Sequence, residues 1–97
     1  SYHEELHFLP ALPSGWKNGK ITGIRARGGF TVDMEWADGK LTKARIISVT
    51  DRNCVIKNNK DKYRIRDSWG NDIDYQVVNN KIIFHMIKDR MYFVTVV

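Results

Sequence analysis

Asp33 and Glu35 are the residues whose types and spacing come nearest to catalytic chemistry. In an extended strand they share one face roughly 7 Å apart, close to the separation of the paired acids in glycoside hydrolysis. A carboxylic acid that protonates a leaving group needs an apolar, enclosed setting to lift its pKa. Nothing in the sequence builds a cleft around this pair, so two acids on a solvated strand face are expected and no catalytic residue is assigned. Asp67, Asn71, Asp72 and Asp74 fall together in DSWGNDID and could offer oxygen ligands to Ca²⁺. Their spacing does not match the calcium loop flanked by helices, and Asn and Asp are also ordinary turn residues. His3, His7 and His85 are too dispersed to form a metal site, and His85 in IIFHMI reads as a packed or edge histidine. No Ser or Cys lies beside a base in a nucleophile signature, and Gly28-Gly29 lacks the sequel of a phosphate loop. No metal or cofactor is expected.

The tryptophans and two arginines carry more. Trp36 falls on the apolar side of an alternating strand and is expected in the core. Trp16 and Trp69 sit in polar turn segments, PSGWKNG and DSWGND. A loop tryptophan is a large rigid surface that can stack on a sugar ring, dock into a partner or cap the end of a small fold. Arg25 and Arg27 lie on one strand face beside Gly28-Gly29, two guanidinium forks side by side. Trp16 and Trp69 are thus the candidates for carbohydrate binding.

The elements that must position these residues are strands. Phe30, Val32, Met34 and Trp36 alternate with Thr31, Asp33 and Glu35, which is the period of a half-buried strand. Asp38-Gly39 then predicts a tight hairpin. The return strand, from about Leu41 to Val49, loses its alternation near Ala44, where a bulge or burial on both faces is expected. Further strands are expected over Lys20–Arg27, Cys54–Lys57, Tyr63–Arg66, Ile73–Val78, Lys81–Ile87 and Met91–Val97, parted by turn-formers such as Asn79-Asn80. No segment holds a helical period. The expected fold is all-β, a small antiparallel β-sandwich of about seven to nine short strands.

The 97 residues make one domain with one modest core. No apolar run reaches the roughly 20 residues of a membrane-spanning helix, so no membrane insertion is expected. Ser1 stands where an initiator Met would, as in a processed protein or a piece of a longer one. Cys54 has no partner for a disulfide and is expected as a buried small hydrophobe. The net charge of +5 invites a polyanion. The basic residues are scattered, however, and the densest stretch, KNNKDKYRIR, is broken by Asp61, so nucleic acid is not the expected partner.

The stretch from Leu9 to Ser48 resembles the C-terminal β-domain of family 95 glycoside hydrolases, the α-L-fucosidase family. The resemblance rests on Leu9-Pro10-Ala11-Leu12-Pro13-Ser14, Trp16, Asn18-Gly19, Gly23, Arg25-Ala26-Arg27-Gly28-Gly29-Phe30, Val32-Asp33, Glu35-Trp36, Asp38-Gly39-Lys40-Leu41 and Lys43-Ala44. Gly15 and Lys17 depart from the commoner Ala and Pro, and from Thr50 onward the resemblance is thin. It implies a bacterial parent, periplasmic or secreted, whose (α/α)₆ barrel hydrolyses α-L-fucosides with carboxylates that this chain lacks. Residues 1–97 would then be a single accessory β-domain, not itself an enzyme. Its partner would be the catalytic barrel of the same polypeptide, with fucosylated glycans as a second candidate. The resemblance makes Trp16, Arg25 and Arg27 the candidates for interdomain contact, the arginines donating forked hydrogen bonds to barrel carboxylates or carbonyls. EWADGKLTKARIISVTD also resembles, loosely, the strand-turn-strand of SH3-like barrels that bind nucleic acid or peptides, although those hold about five strands.

Overall fold

The alternation in FTVDMEWA decides the architecture. In β2 (Phe30–Ala37) Phe30, Val32, Met34 and Trp36 are all buried, while the residues between them face outward. A strand with one apolar face needs a second layer to cover it. The computed structural model, which describes residues 17–26, 28–38, 40–57 and 62–97, supplies that layer. Its other strands are β1 (Gly19–Ala26), β3 (Lys40–Ser48), β4 (Arg52–Lys57), β5 (Tyr63–Asp67), β6 (Gln76–Val78), β7 (Lys81–Met86) and β8 (Met91–Val96). All pairings are antiparallel, in a five-stranded sheet ordered β1-β2-β3-β8-β5 and a three-stranded sheet ordered β4-β7-β6. The all-β sandwich expected from the sequence is the fold, with eight strands among the described residues.

The core lies between the sheets. Phe30, Val32, Met34, Ala44, Ile46, Ile65, Tyr92 and Val94 from the larger sheet meet Cys54, Ile56, Ile82, Phe84 and Met86 from the smaller. Trp36 is 2% exposed, as expected of the apolar face, and its ring leaves no room for a side chain at Gly19. A Cβ there would lie 2.4 Å from Trp36 Cζ2, which is why glycine opens β1.

Two irregularities set the face on which charged residues stand. In β3 Leu41 pairs with Trp36 and Lys43 with Glu35, leaving Thr42 as an extra residue. The broken alternation expected near Ala44 is therefore a bulge at Thr42, whose hydroxyl donates to the Glu35 carbonyl at 3.1 Å. Beyond the bulge Ile46 turns into the core and Ile47 outward, so the adjacent isoleucines belong to opposite faces. In β1 the register steps between Ile21 and Ile24, with Gly23 at φ +71°, a conformation glycine adopts without steric penalty. The turns follow the sequence signals: Asp38, Asn79 and Asn80 all have positive φ. The segment Ile73–Val78 forms less strand than expected, because only Gln76–Val78 pairs with β7. Asp72 instead bridges to Arg66 of β5 before the chain crosses to the small sheet.

Candidate functional site

Two surfaces gather the polar side chains: the outer face of the five-stranded sheet, and the loops at one end of the sandwich. On the outer face the pairing sets Lys20 beside Glu35, Glu35 beside Lys43, Asp33 beside Arg45, Arg45 beside Phe93 and Phe93 beside Arg66. Around Lys20, Asp33, Glu35, Lys43, Arg45 and Phe93 lies a shallow hollow of about 120 Å³. Asp33 is held from two directions. The Gly23 N–H, freed by the bulge, donates to Oδ1 at 2.7 Å, and Arg45 Nε donates to Oδ2 at 2.7 Å, with Arg45 Nη2 reaching the same oxygen. The Gly23 N–H first, and then the Arg45 guanidinium, keep the Asp33 pKa below the usual carboxylate range. That is the opposite of what a general acid needs. Lys43 Nζ lies 5.9 Å from the centre of the Phe93 ring, within reach of a cation–π attraction.

Arg25, one of the interdomain candidates, stands exposed on this same face, opposite Thr31. Arg27 and Trp16 lie outside the described residues, as do His3 and His7. Sequence reasoning missed Arg45, Arg64, Arg66 and Phe93 as part of the face. Each was visible as an outward position of a strand, but their neighbours depend on pairing between distant strands.

The second surface is at the end where β2 begins and β3, β5 and β7 finish. Here the loop after β5 carries Trp69, 66% exposed. The Asp67 carboxylate fastens that loop: its Oδ1 accepts from the N–H of Trp69 at 3.0 Å and of Asn71 at 2.9 Å, and Asn71 Nδ2 donates to Oδ2 at 3.3 Å. Burial alone would raise the Asp67 pKa, but the donors from Asn71 and Trp69 outweigh it and hold the value down. Arg90, from the turn between β7 and β8, places its guanidinium 5.1 Å from the Trp69 ring centre. Trp69 therefore does not cap the core.

The remaining candidates have structural partners. Asp72 takes Arg64 Nε at 3.1 Å and Arg66 Nε at 3.2 Å, and these two side chains lower its pKa. Among the described residues no group of three or more His, Cys, Asp or Glu is placed to hold a metal ion. His85 is neither packed nor on an edge: β7 is the central strand of its sheet, and the imidazole stands exposed with Nδ1 3.2 Å from Asn53 Oδ1. A groove of about 300 Å³ beside it is lined by Asn53, Asp74, Tyr75, Gln76 and Ile83. Cys54 is fully buried, and desolvation drives its thiol pKa well above the ordinary range, so it is an inert core residue.

Residues 1–94 match the family described as "Glycoside hydrolase family 95, C-terminal domain". The chain belongs to that family. Among curated proteins this family 95 C-terminal domain is 49% identical over 41 residues to "Alpha-L-fucosidase 2" of Arabidopsis thaliana, covering 41% of this chain and 5% of the relative. It is 40% identical over 48 residues to "Probable alpha-fucosidase A" of Aspergillus oryzae, covering 48% of this chain and 7% of the relative. The matched parts are thus a small fraction of each relative's length. Among solved structures, a family 39 glycoside hydrolase from the gut symbiont Bacteroides cellulosilyticus WH2 superposes with a TM-score of 0.59. That likeness covers 79% of this chain and 16% of the other at 18% identity, which speaks for the fold alone. With eight strands in two sheets among its described residues, the family 95 domain also departs from the five-strand SH3-like barrel considered from the sequence.

Proposed function

We propose that residues 1–97 are a single non-catalytic accessory domain of an α-L-fucosidase-like glycoside hydrolase, packing against a separate (α/α)₆ catalytic barrel of the same polypeptide. The observation that carries this reading is the state of Asp33. Asp33, the acid that comes nearest to catalytic spacing, is tied up by Gly23 and Arg45 as a carboxylate on an open sheet face, where it serves register and not proton transfer. The names of the family and of the fucosidase relatives support the parent's chemistry.

The outer face of the five-stranded sheet suits the docking role. Lys20, Arg25, Lys43, Arg45, Arg64 and Arg66 share it with Asp33, Glu35 and Asp72, a basic excess around the half-buried Phe93. Arginines around an aromatic are the composition of interface centres, and forked guanidinium donors match the carboxylates and carbonyls of a neighbouring domain. The test compares the isolated chain with the full polypeptide. The isolated chain is expected to leave 4-nitrophenyl α-L-fucoside intact. In the full polypeptide, hydrogen exchange of amides on β1, β2, β3 and β8 is expected to slow while fucoside is hydrolysed. Turnover by the isolated chain, or unchanged exchange across that face, refutes the reading.

A further inference from the structure

The loop end of the sandwich, where Trp69 and Arg90 meet, is separate from the outer sheet face. We infer that Trp69, backed by Arg90, forms a binding site for a fucosylated oligosaccharide, with one pyranose stacked on the indole face that the guanidinium leaves open. Three observations converge. Trp69 remains 66% exposed although Arg90 lies over its ring at 5.1 Å, so most of the indole is open to a second planar or flat-faced group. The loop is not a loose one: Asp67 accepts both the Trp69 and the Asn71 N–H, and the Gly70 N–H donates to the Asp67 carbonyl at 3.1 Å. A platform already held in place costs little entropy to use. Arg90 is likewise fixed at its backbone, its N–H donating to the Ile87 carbonyl at 3.1 Å, while the neighbouring Asp89 N–H ties the same turn to Ser48.

The same end exposes Val49 and Ile87, at 56% and 39%. An exposed aromatic backed by a guanidinium, at an end that also exposes apolar side chains, suits a sugar that presents apolar surface. A 6-deoxy sugar such as L-fucose does so more than most, because it carries a methyl where other hexoses carry a hydroxymethyl. The choice of fucose rests on the fucosidase-like parent proposed above, whereas the stacking site rests on the geometry alone. A protein surface would also use Trp and Arg as anchors. The small extent of the platform, one indole backed by one guanidinium, favours a ligand the size of a few sugar rings.

The experiment is a titration of the isotope-labelled chain with 2′-fucosyllactose, and with lactose as the control, followed by the indole and backbone amide signals. Saturable movement of the Trp69 indole with millimolar half-saturation is expected, and lactose should move it little. Trp69→Ala should weaken binding roughly tenfold or more, leaving the core amides unshifted because the side chain is on the surface. Arg90→Lys keeps the charge but loses the flat fork, and should weaken binding less. Absence of any shift at tens of millimolar sugar overturns the inference, and so does equal binding of lactose. Acrylamide quenching of Trp69 in the full polypeptide makes a third arm. If the indole is shielded there without sugar, the end is a protein contact and the inference falls, whereas open quenching supports it. Failure of these arms with fucoside hydrolysis intact in the full polypeptide leaves the accessory-domain reading standing. A full polypeptide that does not hydrolyse fucosides sinks that reading, even where Trp69 still saturates.

Discussion

Replacing Asp33 by Asn tests whether the bulge, the arginine and the carboxylate act as one unit. The substitution keeps the shape and an acceptor oxygen but removes the charge. Asp33 accepts from Gly23 N–H and Arg45 Nε, both at 2.7 Å, with its side chain 19% exposed and that of Arg45 46% exposed. A pair this open to solvent is worth only about 0.2–1 kcal/mol. The backbone N–H to a charged acceptor adds a comparable amount at a partly shielded site, some of which the Asn oxygen retains. The net loss expected for Asp33→Asn is about 1 kcal/mol, which for a domain of this size lowers Tm by roughly 4–8 °C. The pH dependence gives the sharper check. Because folding depresses the Asp33 pKa, its stabilisation is present above the unfolded carboxyl value of about 3.9 and drains away as pH falls through the lower folded value. Urea melts at pH 7 should therefore separate the two proteins, and melts near pH 3 should bring them closer. Equal stability at pH 7, or a gap that widens in acid, would refute the reasoning.

The core and the thiol offer simpler tests. Ile46→Ala removes a fully buried side chain from the middle of β3 and should cost about 2–5 kcal/mol in a urea melt, depending on how far the two sheets close over the space. Cys54 should resist a thiol reagent such as 5,5′-dithiobis(2-nitrobenzoate) in the native chain and react at once in denaturant, since burial both hides the sulfur and raises its pKa. Rapid labelling of the native chain would show that β4 opens locally.

The sequence by itself determined the class of fold and most of the strands. Period-two alternation in Phe30–Trp36 needs no partner to be read, and the turn-formers Asp38, Asn79 and Asn80 act through their own backbone preferences. It also carried the family, whose C-terminal domain matches residues 1–94. It did not determine who stands beside whom. Counted back from a two-residue turn at Asp38-Gly39, Asp33 would face Ala44; the extra residue at Thr42 moves it opposite Arg45. The second bulge, at Gly23, then aims a backbone N–H at the same carboxylate. Likewise Trp69 and Arg90 belong to different loops, twenty-one positions apart, and meet only because β5 and β8 are neighbours in the sheet. Local propensity acts within a few residues, whereas register and strand order are chosen by the whole buried core. That is why the elements could be read along the chain, and why the surfaces they build exist only once the sandwich has closed.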